Sequence, residues 1–251
     1  MNYQTAISFG LVHIPVLINS AIKNNDISFN MLHKKCGKKL EYIRYCPHCK
    51  EDVKSKEIEK GYEYTEDNFV TFTDEDFDKL KSENDKIIEI ISFVNISDID
   101  PIYYDKSYTL TANKSTKAFN LFKEALRKSK KVAIAKTIMR NKAFYVVIRF
   151  GYENIIMDTL YYEEEIKLKR EKVKKEFTDS ELKTAIQLID AMSDEFKPEE
   201  YIDEYQTRLR SAIDKKINGK EIKQYKKKKT RNVSDLMTAL EESLKEKNGK
   251  K

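Results

Sequence analysis

Hydrophobic positions alternate along much of the first two-thirds of the chain and shift to helical spacing in the last third. Val12, Ile14, Val16 and Ile18 alternate with other residues, the period of a strand with one buried face. Pro15 within that run predicts an edge or bulged position, because proline donates nothing to a ladder. The runs ISFNMLH, LEYIRYC, FVTFT, IIEIISFV and YYDKSYTLTA are rich in β-branched and aromatic residues and predict further short strands. Thr73 to Asp76 has the capping-box pattern that opens a short helix.

Ala118, Phe119, Leu121, Phe122, Ala125 and Leu126 fall at helical spacing, with basic residues on the other face and at the C-terminal end, where cations suit the helix dipole. From Val132 the period becomes two, with Val132, Ile134 and Ile138 on one side and Lys136 and Arg140 among them. Asn141-Lys142 predicts a turn before AFYVVIRF, and NIIMDTLYY follows as a third strand. After about residue 166 the pattern is helical. Thr178 and Glu181 form a capping box ahead of Leu182, Ala185, Ile186, Ile189 and Met192. Pro198 suits a first helical turn before Tyr201, Tyr205, Leu209, Ile213 and Ile217, and Gly219 is a stop. The polar run IKQYKKKKTRN reads as a linker. A last amphipathic helix presents Val233, Leu236, Met237, Leu240 and Leu244 on one face. A helix this short is marginal alone in water, so it folds back on the core or docks on a partner. The expected organisation is a mainly β domain with some helix over residues 1–166, a helical arm over 167–219, and a basic linker with a short helix over 220–251.

Charge sharpens this picture. The formal net charge is +6 over 251 residues, yet Lys114 to Lys142 carry net +9 and Lys215 to Arg231 net +8, so the remainder is net acidic. Segregated charge of this kind favours a polyanionic partner over a merely solubilising surface. No apolar run is long enough to span a bilayer, and no secretory signal pattern opens the chain, so a cytoplasmic, nucleoid-associated protein is expected.

Two ligand pairs, His33-Lys-Lys-Cys36 and Cys46-Pro-His-Cys49, have the spacing of a structural zinc ribbon, with His48 as an alternative to His33. Free thiols beside a strand are the other reading. Enzyme signatures are thin. Six glycines leave little room for a phosphate loop, no G-x-S-x-G or H-E-x-x-H occurs, and the acidic runs Glu163-Glu164-Glu165 and Asp98-x-Asp100 read as solvated surface rather than a nuclease centre. No catalytic residue is assigned. The fifteen tyrosines and twelve phenylalanines sit mostly at core spacing rather than as a stacking platform.

An ordered set of segments resembles bacterial Ku: AISFGLVHIPV at 6–16, KGYEY at 60–64, TDEDF at 73–77, DPIYY at 100–104, and Lys117 to Leu126 running into VAIAKTIMR. AIQLIDAM, FKPEEYIDEYQTRL and VSDLMTALEESL continue the likeness over essentially the whole chain. The resemblance implies a Ku-type β-barrel core whose basic helix and hairpin encircle a DNA end in a ring-shaped homodimer. It further implies sequence-independent end binding in non-homologous end joining, an ATP-dependent DNA ligase (ligase D type) as partner, and no catalytic site. The helical arm, through Leu182, Ile186, Ile189, Tyr205 and Leu209, is implied to pack across the dimer. Candidate DNA contacts are Lys114, Lys117, Lys123, Arg127, Lys128, Lys130, Lys131, Lys136, Arg140 and Lys142, with Lys226, Lys227, Lys228, Lys229 and Arg231 in the tail. Leu236, Met237, Leu240 and Leu244 are the candidate ligase-docking face. The zinc reading rests on spacing alone. The competing function is a zinc-ribbon nucleic-acid-binding regulator with no need for ends.

Overall fold

Short alternating runs need partners on both sides, and seven of them find each other in a closed barrel. The computed structural model describes residues 3–80, 87–114, 116–139, 141–168, 176–222 and 236–248. They fall into two compact units, one ending at Leu168 and one beginning at Lys169.

The barrel strands are β1 (Tyr3–Phe9), β2 (Val12–Ser20), β7 (Ile88–Asn95), β8 (Tyr104–Ala112), β9 (Lys131–Met139), β10 (Lys142–Gly151) and β11 (Asn154–Leu160). They close in the order β1-β2-β8-β11-β10-β9-β7. All neighbours are antiparallel except β1 and β7, which meet in parallel. Gly10 makes the β1–β2 turn at φ 55, a left-handed conformation that glycine adopts without a Cβ penalty. Pro15 sits inside β2, where β8 pairing begins only at Val16. Its carbonyl accepts the Asn113 N–H at 3.0 Å, so its missing N–H faces a stretch with no ladder to satisfy.

Alternate residues fill the interior: Ile14, Val16 and Ile18 of β2, Val146 and Ile148 of β10, Ile155 and Met157 of β11, all but solvent-free. Helix α2 (Thr116–Ser129) adds Phe119, Phe122 and Leu126 to the same cluster. On β9, Ala133 and Ala135 join the core cluster, while on the opposite face Val132 is buried and Ile134 and Ile138 are half-buried. Leu121 and Ala125 lie exposed on α2, and Val12 is 41% exposed at the barrel rim.

Residues 21–80 lie outside the barrel, and none of them is buried. The segments ISFNMLH and LEYIRYC are not barrel strands. Their strand-like residues find no partner sheet beyond a Leu32–Lys39 bridge and the two-residue strands β3 (Tyr45–Cys46) and β4 (Glu51–Asp52). Strands β5 (Lys60–Thr65) and β6 (Asn68–Phe72) form a separate hairpin, exposed nearly throughout. Helix α1 (Asp74–Lys79) follows, with Thr73 Oγ1 accepting the Asp76 N–H at 3.2 Å and Asp76 accepting the Thr73 N–H at 2.9 Å.

The second unit holds α3 (Asp179–Met192), α4 (Glu204–Ile217) and α5 (Leu236–Asn248). Thr178 and Glu181 complete the predicted capping box. Pro198 opens a 3₁₀ turn rather than the helix, and Asp203 caps α4 through the Gln206 N–H at 2.8 Å. Gly219, at φ 68, ends α4, with its N–H bonded to the Lys216 carbonyl and that of Lys220 to Lys215. Helix α5 lies against α3. The linker at 223–235 lies outside the described residues.

Candidate nucleic-acid interface

The basic stretch changes from helix to strand at one residue. Lys130, at φ 55, breaks α2 after Ser129, and β9 starts at Lys131. The amphipathic α2 buries its aromatic face in the barrel, so its cations are held outward by the packing of Phe119, Phe122 and Leu126.

These cations differ in how free they are. Arg127 donates two hydrogen bonds to Glu124, at 2.6 and 2.8 Å, and Lys128 lies 3.5 Å from the same carboxylate. The Arg127 guanidinium holds the Glu124 carboxyl down to about 2. Lys123 donates to the Glu153 carbonyl and lies over the Phe150 ring. Lys131 donates to Asn95 at 2.6 Å, Lys136 pairs with Glu89 at 3.0 Å, and Lys142 stands 3.7 Å from Glu165. Lys114, Lys117 and Lys130 are exposed, and their side chains make no ion pair or hydrogen bond among the described residues. Arg140, Lys226, Lys227, Lys228, Lys229 and Arg231 lie outside those residues.

The cysteine region carries two small turns. His33 Nδ1 stands 3.1 Å from Cys36 Sγ, and the Cys49 N–H donates to Cys46 Sγ at 3.5 Å. The Cys49 backbone N–H lowers the Cys46 thiol from its ordinary value, while the hydrogen bond shared with Cys46 raises Cys49. His48 Nδ1 is 3.9 Å from Cys49 Sγ. Among the described residues no three His, Cys, Asp or Glu side chains come together. Of the candidate docking face, Leu240 and Leu244 are half-buried in α5, and the Leu236 and Met237 side chains lie outside the described set. On the arm, Leu182, Ile186, Ile189 and Tyr205 are all at least 44% exposed.

Residues 8–184 match the family model described as the Ku70/Ku80 beta-barrel domain. The chain belongs to the Ku family. It is 39% identical over 243 residues to the non-homologous end joining protein Ku of Lachnoclostridium phytofermentans, covering 96% of this chain and 95% of that one. The protein of the same name from Bacillus subtilis is 36% identical over 251 residues, covering 96% of this chain and 80% of its own. That from Mycobacterium tuberculosis is 34% identical over 253 residues, covering 96% and 93%.

The Ku barrel also contains a polar cluster that hydropathy reading passed over. Arg149 Nε donates to Asp158 at 2.6 Å, Ser107 donates to the other Asp158 oxygen at 2.5 Å, and Asp158 is 2% exposed. Burial and the Asp158 charge push the nearby Tyr104 hydroxyl up. Gly151 leaves room for this arrangement, since a Cβ there would stand 2.8 Å from the Arg149 guanidinium. One charge of each sign inside an apolar strand pair was the available signal: Arg149 in AFYVVIRF and Asp158 in NIIMDTLYY.

Proposed function

We propose that this Ku protein binds the ends of duplex DNA without reading sequence, as a ring-shaped homodimer. In this reading it holds ends in non-homologous end joining and recruits an ATP-dependent DNA ligase, without itself carrying out catalysis. The observation that carries it is the outward line of cations from α2 into β9, Lys117 to Lys136, on a Ku barrel. Cations held by regular structure suit phosphates, whose contacts fix orientation and carry no sequence information. The β5–β6 hairpin supports the dimer. Tyr62, Tyr64 and Phe69 are each about 60% exposed, and a lone two-stranded hairpin is marginal in water. A second subunit would cover it. The α5 helix with Leu240 and Leu244 is the proposed ligase contact, the basic tail at 226–231 adds phosphate contacts, and the arm stripe Leu182, Ile186 and Ile189 is available to the dimer.

The test is competition. Protein bound to a labelled linear duplex is challenged with unlabelled linear DNA or with a covalently closed relaxed circle of the same sequence. The proposal expects the linear competitor alone to displace the label. Equal competition by the circle refutes end binding and favours an open nucleic-acid-binding surface.

A further inference from the structure

The two cysteine-bearing turns are built alike, residue for residue. In each, two ligand-type residues are separated by two others: His33 and Cys36 in the first, Cys46 and Cys49 in the second. In each, the N–H of the fifth residue bonds back to the carbonyl of the first, Gly37 to His33 at 2.7 Å and Lys50 to Cys46 at 2.8 Å. In each, that fifth residue is left-handed, Gly37 at φ 68 and Lys50 at φ 57. The fourth residue's N–H also points back at the first, Cys36 to the His33 carbonyl at 3.2 Å and Cys49 to Cys46 Sγ at 3.5 Å. Each turn closes its own short antiparallel pairing, Leu32 with Lys39 and Tyr45 with Asp52. A lysine held in a left-handed conformation, where glycine would be unstrained, marks a turn kept for its geometry.

Hydrophobic burial does not hold this region. None of residues 21–58 is buried, and Phe29, Leu32, Tyr42 and Ile43 are each more than half exposed. Small units without a core are held by disulfides, metals or partners. An odd count of three thiols, with a histidine completing the first pair, matches four ligands for one tetrahedral ion better than a disulfide.

We propose that His33, Cys36, Cys46 and Cys49 bind one zinc ion per chain, each turn supplying a preformed pair of ligands and the ion drawing the two turns together. Binding converts three thiols to thiolates and releases their protons, while His33 coordinates as neutral imidazole. The resulting site carries one net negative charge, and Lys34, Lys35, Lys38, Lys39 and Lys50 surround the ligands in sequence to offset it. His33 holds the first place of its turn, as Cys46 does in the other. His48 occupies an intervening place and is not a ligand. With all four positions taken by protein, the ion has no open site and is structural.

The test uses the full chain, stripped of metal under reducing conditions and titrated with zinc alone or with cobalt(II) as a coloured stand-in. The expected result is one ion per chain, with tetrahedral cobalt bands and thiolate-to-cobalt charge transfer. Affinity should fall at least tenfold in Cys36→Ser, Cys46→Ser and His33→Asn, and remain unchanged in His48→Asn. A readout that needs no variant is tryptic cleavage after Lys34, Lys35, Lys38 and Lys39. Zinc should slow it, and a chelator should restore it. Zinc below a tenth of an equivalent, or cleavage indifferent to zinc, overturns the site. Binding that survives Cys36→Ser and His33→Asn but not Cys46→Ser overturns the joining of the two turns.

Discussion

Lys117 and Lys130 offer a direct measure of how many phosphates the helix-to-strand corner neutralises. Both are exposed and make no ion pair among the described residues, so replacing them with glutamine releases no carboxylate. Lys130 already sits at φ 55, and glutamine there meets the same backbone penalty as lysine. If each subunit neutralises about four phosphates, the log–log salt slope of a dimer is roughly −7. The double substitution removes two contacts per subunit, so the slope should fall to roughly −3.6 for a dimer on one duplex and by only about 2 for a monomer. Between 50 and 200 mM salt, the unaltered protein should then weaken on the order of 10⁴-fold and the variant on the order of 10²-fold. Fluorescence anisotropy on a labelled linear duplex across that salt range measures both slopes. Lys123→Gln is the control. Its ammonium is engaged by the Glu153 carbonyl and the Phe150 ring, so its slope should change less. A Lys117/Lys130 variant with the unaltered slope would remove the corner from the interface.

Glu124→Gln frees Arg127 and Lys128, so DNA binding should tighten and its salt slope steepen; a weaker complex would count against their facing phosphate. The Glu124 carboxyl, held down to about 2 by Arg127, should titrate far below an unfolded glutamate by NMR. The stabilisation from this pair is therefore present at neutral pH and is lost only as pH falls toward that midpoint. Asp158→Asn breaks a buried pair with Arg149, itself 27% exposed in its side chain, and should lower the unfolding free energy by about 3 kcal/mol in urea titrations; a loss under about 1 would contradict its burial. Phe122→Ala should cost about 3–5 kcal/mol, because the ring is shared between α2 and the barrel.

The strands with one buried face were legible because period two needs no knowledge of the partner, as Ile14, Val16 and Ile18 show. The turn at Asn141, φ 63, and the capping box at Thr178 were legible because their chemistry is local. What failed was non-local. ISFNMLH and LEYIRYC have strand propensity, but beyond the Leu32–Lys39 bridge and the two-residue pairing of Tyr45–Cys46 with Glu51–Asp52 they join no sheet. The inward face of β9 drew no notice because Ala133 and Ala135 are too small to mark a hydrophobic period. In the candidate interface, composition marked the cations, but only the fold separates Lys117 and Lys130 from Arg127 and Lys136, whose charges are already answered by Glu124 and Glu89. Hydropathy reading counted Asp158 as neither core nor site, since it scores a buried carboxylate as surface.

The barrel closure has a consequence for how the chain is made. The N-terminal hairpin of β1 and β2 joins the five later strands along two seams. The β2–β8 seam runs from Val16↔Ala112 to Ser20↔Tyr108, and the parallel β1–β7 seam has just Ile7↔Ile88 and Ser8↔Glu89. This hairpin leaves the ribosome first, yet it cannot bury Ile7, Ile14, Val16 and Ile18 until strands from the far side of a long excursion arrive. Its closure therefore waits on long-range pairing with β7 and β8 rather than on its own turn. Amides along β1 should exchange through opening of the short parallel seam, while those of Val146 to Ile148 wait for the whole barrel to unfold.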